Sequence, residues 1–377
     1  MVKPVAKFSF MEQWKEYKLG DISNMKYGKL PPKQNNGSYP IWSGYRNVGF
    51  ATTYNCRKGT IIVVARGVGG TGDVKISSED CFLTNLSIAV ELDNKICEPL
   101  YFYYKYKLSN LRYLDTGSAQ SQITIDDLKR LSLKLPPLEE QKRITEILSS
   151  IDYKIELNRR INDNLEQQAQ ALFDHYFDSG SIYLEDSIMG CLTDIAVYLN
   201  GLAMQKFPAT DIERSLPVLK IKELGQRKCD DCSDRCSDSI DADYIIDNED
   251  IIFSWSGTLM VDVWCGGKCG LNQHLFKVTP LKNYPRWFVY YWTNRHLKKF
   301  KLIAKDKAVT MGHIRRGDLE NAEVAIPTNL NMLEINARIN PLFQSIIDRR
   351  LEITKLENIR DALLPKLMSG ELTINEI

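Results

Sequence analysis

The chain is short of the features that mark membrane, secreted and self-sufficient catalytic proteins. No uncharged apolar run among its 377 residues approaches the ~20 that a membrane helix requires. Met1–Phe10 lacks the apolar stretch of a secretion signal, so the expected location is the cytoplasm. No P-loop Gly-Lys-Ser/Thr occurs, which argues against ATP hydrolysis by this chain. Histidine is scarce: His175, His274, His296 and His313 form no His-x3-His pair or acid-assisted metal cluster. Neither Gly-x-Ser-x-Gly nor the Asn/Asp-Pro-Pro-aromatic signature of an amino-methyltransferase is present. Charge of either sign is not in surplus either, with 49 Lys and Arg against 48 Asp and Glu. A histone-like binder is excluded, and a polyanion partner has to meet a local patch.

What is there is an ordinary globular composition, 44% hydrophobic and 26% charged, long enough for two or three packed domains. The charge is unevenly placed. Residues 1–134 hold 19 bases against 12 acids. Asp230–Asp250 holds nine acids and one base, and Arg286–Arg316 nine bases and one acid. These blocks read either as solvated faces that pair with each other or, for the basic one, as a phosphate-facing surface. The nine cysteines are an odd count, against a disulfide framework. Cys229, Cys232, Cys236, Cys265 and Cys269 resemble a structural zinc site in part. Their spacing departs from the usual knuckle and one thiol is surplus, so they read as free, half-buried thiols.

The most informative feature is an internal repeat. Leu19-Gly-Asp-Ile22 recurs as Leu192-Thr-Asp-Ile195, with Gly28 and Gly201 shortly after. Pro40-Ile41 matches Pro217-Val218, and the apolar run Thr60–Ala65 matches Asp250–Trp255. Cys81–Asn85 lies opposite Cys269–Gln273, and Tyr101–Tyr106 opposite Trp287–Trp292. Ile123, Leu128 and Pro136 fall opposite Ile314, Leu319 and Pro327. A duplication this long implies two similar domains related by an approximate two-fold.

Each copy ends in a long helix. Leu138–Asp178 follows Pro136-Pro137 with no further glycine or proline and an acidic first turn. Ile144, Leu148, Ile151, Ile155, Leu165, Ala169, Leu172 and Tyr176 recur in steps of three and four, Asn158 and Asn162 filling the gap. Leu157 and Ile161 could take over the stripe there. Such a helix would reach roughly 60 Å. The second runs from about Leu333 to Met368, with Ile335, Ile339, Leu342, Ile346, Ile353, Leu356, Leu363 and Leu367 in its stripe. Pro341 should kink it or mark its start, and Pro365 should disturb its last turn. The expected fold is mixed α/β (α+β): two pseudo-two-fold-related domains with antiparallel strands, joined by two long antiparallel coiled-coil helices.

Arg66–Gly72 superficially matches a phosphate-cradling loop, but the alternating Asp73–Ser77 follows where a helix is required. A glycine-rich hairpin or a DNA-approaching loop is the better reading. Leu271-Asn-Gln-His-Leu275 groups three hydrogen-bonding side chains ahead of an apolar strand. Asn and Gln can read adenine bidentately, yet such a cluster can equally cap a turn. Ser254-Trp-Ser-Gly257 carries the same two readings, and Lys305–Arg316 and Thr116–Ile123 are loop-like with little to bury.

Together these motifs resemble the specificity subunit of a type I restriction–modification system. The likeness is carried by Leu135–Ile144 with Leu148-x2-Ile151-Asp152, by Phe253–Thr258, Leu271–His274 and Thr116–Gln120, and by Arg360–Leu372. The resemblance implies a non-catalytic DNA reader: two target-recognition domains each read half of an interrupted, asymmetric double-stranded DNA site. Paired helices set the separation of the halves. Two modification (methyltransferase) subunits dock on the chain, and restriction subunits (ATP-dependent translocase and nuclease) join the assembly. S-adenosylmethionine, ATP and Mg2+ belong to those partners and no cofactor to this chain. The expected divisions are 1–135 and 179–327 for the recognition domains, 136–178 for the central helix and 328–377 for the distal helix and tail.

The DNA-contacting candidates are Lys26, Tyr45, Arg46, Arg66 and Ser121 in the first copy. In the second they are Ser254, Ser256, Asn272, Gln273, His274, Lys305, Lys307, His313, Arg315 and Arg316. Ile151, Ile155, Leu165, Leu172, Ile346, Ile353, Leu356 and Leu363 are the coiled-coil and partner-docking candidates. Three other readings stay open: the specificity subunit of a related type II-like multi-subunit enzyme, an autonomous zinc- or nucleotide-dependent enzyme, and a coiled-coil adaptor with no DNA role.

Overall fold

A computed structural model describes residues 14–31, 36–44, 46–67, 70–115, 121–178, 180–281, 283–306 and 314–374. The chain divides into two units, Met1–Tyr153 with Glu357–Ile377, and Lys154–Leu356.

In the first unit the order is β1 (Lys15–Lys18), β2 (Ser23–Tyr27), β3 (Tyr39–Ser43), β4 (Arg46–Ala51), β5 (Ile61–Val64), β6 (Val74–Ile76), β7 (Phe82–Leu83) and β8 (Ser87–Leu92). Helices α1 (Pro99–Lys107) and α2 (Ile125–Lys129), strand β9 (Ser132–Leu135) and helix α3 (Leu138–Phe177), which belongs to the second unit from Lys154 on, follow. The second unit continues with β10 (Ile188–Cys191), α4 (Leu192–Ile195), β11 (Ala196–Asn200), β12 (Ser215–Leu219), α5 (Ile221–Gln226), β13 (Arg235–Ser237) and β14 (Ile245–Ile246). It is completed by β15 (Ile251–Ser254), β16 (Met260–Val263), β17 (Cys269–Leu271), β18 (Leu275–Pro280), α6 (Arg286–Asp306), α7 (Arg316–Glu320), β19 (Glu323–Ile326) and α8 (Asn329–Ser369).

The repeat in the text is a repeat in hydrogen bonding. One sheet runs β2-β8-β5-β6 in the first unit and β11-β18-β15-β16 in the second. A second sheet runs β4-β3-β7 and β13-β12-β17-β14, and the small pairs β1-β9 and β10-β19 correspond. The parallel pair Ile41↔Phe82 has its counterpart in Val218↔Gly270. Gly28 and Gly201 are kept for the same reason: a Cβ at either would stand 2.2 Å from a carbonyl oxygen, that of Thr84 or Asn272. No side chain fits there.

Each unit closes its own core. In the first, Tyr101 and Phe102 of α1 pack with Ile61, Val63 and Val90, with Ile144 and Leu148 of α3 and with Leu364 and Leu367 of α8. In the second, Phe253 stacks on Phe300 of α6 and shares one core with Trp287 and Phe288 of α6, Phe173 and Tyr176 of α3, and Ile335 and Ile339 of α8. Both long helices therefore contribute to both cores. Helix α3 starts where Pro136-Pro137 ends, and the buried Gln141 pins that start. Its Nε2 donates to the carbonyls of Ile96 and Pro136, and its Oε1 accepts from the N–H of Glu98, all at 2.9 Å.

Three details depart from the expected helices. Helix α8 begins at Asn329 and runs unbroken through Pro341 and Pro365. Both prolines are exposed, as is Ala337, so the carbonyl that loses its partner four residues before Pro341 can turn to water. The buried stripe is also wider than a heptad seam. Ile155 and Ile346 are buried, but Ile151, Leu165, Leu172, Ile353, Leu356 and Leu363 are only partly so, while Phe173, Phe343, Ile347, Leu364 and Met368 are fully covered. A helix packed against both a partner helix and a sheet buries a broader face than a coiled-coil seam. Leu157 does not take over the stripe: it is 42% exposed, and Asn158 and Asn162 are themselves buried. Among the described residues no helix is long and apolar enough to cross a membrane.

Candidate nucleic-acid interface

The hairpin β15–β16 and the β17–β18 turn meet at one edge of the second unit. The turn is built by Asn272, only 8% exposed. Its N–H donates to Leu219 O (3.2 Å), and its Oδ1 accepts the N–H of His274 (3.2 Å). This Asx-type turn leaves Gln273 and His274 half-buried at the surface, their side-chain nitrogens 3.4 Å apart. Ser254 is fully buried and donates to the Ser256 carbonyl. Ser256 is buried too, its Oγ 3.3 Å from His274 Nδ1. Trp255 stands between them, half-exposed: its Nε1 donates to Asn200 Oδ1 (2.9 Å), and its ring lies beside His274 and Phe276. The Ile314 N–H donates to the Trp255 carbonyl (3.2 Å), which carries exposed Arg315 to the same edge. Beside it lies a cleft of about 570 Å³ whose walls include Gln205, Lys220, Lys222, Arg235, Gln273 and His274.

The first unit builds the equivalent edge from different residues. Ile123 N–H donates to the Ala65 carbonyl (2.9 Å), the counterpart of the Ile314–Trp255 bond. Arg66, exposed just past the end of β5, pairs with Gln122, and Gly44 lies alongside its carbonyl. Ser121 is held by Asp115, whose other oxygen accepts the Gln122 N–H (2.9 Å). Strand β6 pairs antiparallel with β5 (Ile61↔Ile76, Val63↔Val74), so a strand follows Gly72 where a phosphate loop requires a helix. Gly72, at φ +92°, makes its turn against Arg112.

The remaining candidates are dispersed. Lys26 lies on β2, 3.5 Å from Glu91 with both side chains well exposed, a pair worth little. Lys305 is exposed in the last turn of α6, and Arg316 pairs with Glu320 (3.3 Å). Tyr45, Lys307, His313 and residues 116–120 lie outside the described residues. The acidic and basic blocks meet at Arg286 and Glu249, while Asp250 pairs with Lys277 and Asp234 with Lys220. The cysteine cluster does not converge: Cys229 and Cys269 are neighbours, Cys236 is buried, Cys232 is exposed, and Cys265 donates toward Val263 O. Among the described residues no three His, Cys, Asp or Glu side chains form a metal-holding group.

Two charge clusters that the sequence did not signal tie each unit to its helices. In the first, Asp152 of α3 accepts from Lys107 Nζ (2.8 Å), Tyr104 OH (2.9 Å) and Arg360 of α8 (2.8 Å). Burial pushes the Asp152 carboxyl up, but these donors outweigh it and hold it below the usual carboxylate range. In the second, Arg350 of α8 bridges Asp262 of β16 (2.5 Å) and Glu166 of α3 (2.7 Å). Burial opposes its charge, and the two carboxylates keep it firmly protonated.

Two like-built units, each presenting a polar edge of different side chains, define a duplicated recognition protein. Residues 11–167 and 189–360 each match the type I restriction modification DNA specificity domain, and the chain belongs to that family. It is a type I specificity subunit with two target-recognition domains. It is 26% identical over 395 residues to the MjaIX type I restriction enzyme specificity subunit of Methanocaldococcus jannaschii, covering 96% of this chain and 89% of the relative. It is 52% identical over 56 residues to the HindI specificity subunit of Haemophilus influenzae, covering 15% and 12%. The crystal structure of an S subunit from M. genitalium shares the fold, with a TM-score of 0.65 at 17% identity over 94% of this chain and 96% of that one.

Proposed function

We propose that the chain reads a bipartite, asymmetric site in double-stranded DNA, each unit taking one half-site through its edge. The observation that carries this is the pairing of equivalent edges with unlike chemistry, Arg66 and Ser121 in one and Trp255, Gln273 and His274 in the other. Arginine suits guanine and glutamine suits adenine in the major groove. Lys305 and Arg315 suit the phosphate backbone, which positions a reader without specifying sequence. Ser254, Ser256 and Asn272 act from behind, shaping the loops that carry the contacts. The recognition domains span 1–135 and 179–327, with the helical segments 136–178 and 328–377.

In this reading the chain performs no chemistry. Two modification subunits supply S-adenosylmethionine-dependent adenine methylation, extruding the base from the duplex to reach it. Restriction subunits using ATP and Mg2+ complete the assembly. Methylome sequencing of cells with and without the chain tests the proposal. One bipartite motif should disappear with the chain, and an unchanged methylome rejects the reading. Methyl transfer by the lone purified chain with S-adenosylmethionine would reject the non-catalytic role.

A further inference from the structure

Arg350 is 8% exposed and sits on α8, far in sequence from the reading edge. Its Nη1 lies 2.5 Å from Asp262 Oδ1 and 3.4 Å from the Val263 carbonyl, and its Nη2 lies 2.7 Å from Glu166 Oε1. The other oxygen of Asp262 accepts from Arg227 Nε (2.7 Å). One turn further along α8, Thr354 Oγ1 donates to the Cys265 carbonyl (3.1 Å). The bonds to Asp262 and Val263 grip the end of β16 away from its turn, the bond to Cys265 holds the chain just beyond it, and the bond to Glu166 ties the guanidinium to α3. The register Ile251↔Val263, Ile252↔Asp262, Phe253↔Val261 and Ser254↔Met260 carries the hairpin from the grip to Trp255. At about 3.3 Å per residue, the grip and the reading loop are only some 7–10 Å apart along the strand.

We infer that Arg350 is a positioning residue for the second reading edge: it fixes the attitude of the β15–β16 hairpin on its helices, and so the placement of Trp255 and its neighbours against DNA. A buried guanidinium between two carboxylates adds little net stability over apolar side chains of the same volume. What it adds is direction, because the planar fork bonds only along set axes. Tyr290, Phe343 and Ile346 line the same cleft as Arg350, and apolar contacts of that kind are non-directional and would tolerate small rotations of the sheet.

This rests on the DNA-reading proposal, and its test separates the two. The full chain is co-expressed with its modification subunits in a methylation-free host, as wild type, Arg350→Met, Arg350→Lys and Thr354→Val, and the methylome of each is read at base resolution. A companion chimera with residues 181–327 exchanged tells which half-site the second unit reads. Arg350→Met should relax that half-site alone, raising methylation at its single-mismatch sites about tenfold relative to the full site. The other half-site stays stringent and serves as the internal control for folding and assembly. Arg350→Lys should restore part of the stringency, since an ammonium can hold one carboxylate, and Thr354→Val should act in the same direction more weakly. Unchanged stringency, or a uniform loss across both half-sites, overturns the inference. A wild-type methylome without a bipartite motif overturns the DNA reading, and the inference falls with it.

Discussion

The strand that starts the central hairpin is followed by Ala65 and Arg66 in the first unit and by Trp255 in the second, and the carbonyls of Ala65 and Trp255 accept the same kind of backbone bond, from Ile123 and Ile314. Around this shared frame the chemistry diverges. The first edge offers a guanidinium and hydroxyls. The second offers an indole, an amide and an imidazole braced by a buried asparagine and two buried serines. The anchoring of the two units differs as well. A carboxylate on α3, Asp152, gathers cations in the first, and a guanidinium on α8, Arg350, gathers carboxylates in the second. A duplicated backbone can thus keep its sheet order while its surface and its charged fastenings change independently. Backbone pairing depends on strand register, whereas edge chemistry depends on a few side chains that can differ without altering that register.

The comparison is broken most severely by exchanging residues 181–327 for those of a relative. One half-site should be replaced outright while the other is retained, a change of at least ~10³ in preference for the old site, read from the methylome. Replacement of both halves would show that the units do not read separately.

Next come the cores. Phe173→Ala should cost the second unit ~3–5 kcal/mol and Leu148→Ala the first ~2–5 kcal/mol. Calorimetry of the full chain should show which transition each substitution lowers. Leu165, only partly covered, should tolerate alanine better than Phe173 does, and an equal loss at both would restore the simple heptad picture.

At the edge, Gln273→Ala should lose about 1–3 kcal/mol of discrimination between cognate and altered half-sites with an unchanged melting temperature. Asn272→Ala should lower stability as well, by on the order of 1 kcal/mol, because the turn loses its bracing bond. Competition binding and thermal melts on the same samples distinguish the two roles. In the same assay, Lys305→Ala and Arg315→Ala should weaken all sequences alike and each reduce the salt slope by roughly one.

The smallest effect is with pH. Asp152 has a folded-state pKa below its unfolded value, so its contribution to stability is present above the ordinary carboxylate pKa of about 3.9 and fades as pH falls through the depressed folded value. The melting-temperature gap between wild type and Asp152→Asn should therefore be full at neutral pH and close in acid. A gap constant to the lowest pH would remove the ionic explanation.

Much of this was readable beforehand. The repeat placed Gly28 with Gly201, Ile123 with Ile314 and the two aromatic helices correctly, because duplicated strands and turns retain the same steric demands. The roles of Asn272, Ser254 and Ser256 were not readable, since a polar run looks the same whether its side chains face the solvent or fold back to brace a turn. Pro341 does not mark the start of α8, which begins at Asn329: a proline ends a helix or is carried within it according to whether water can reach the carbonyl it orphans.

By itself, then, the order of residues determined two like halves and two long helices, since local periodicity and steric constraint are written along the chain. Only the tertiary structure decided which polar groups stand forward at each edge, how broad the buried helical faces are, and that Arg350 meets Asp262 and Glu166. Those contacts join residues scores of positions apart, and proximity of that kind arises only when separate strands and helices pack.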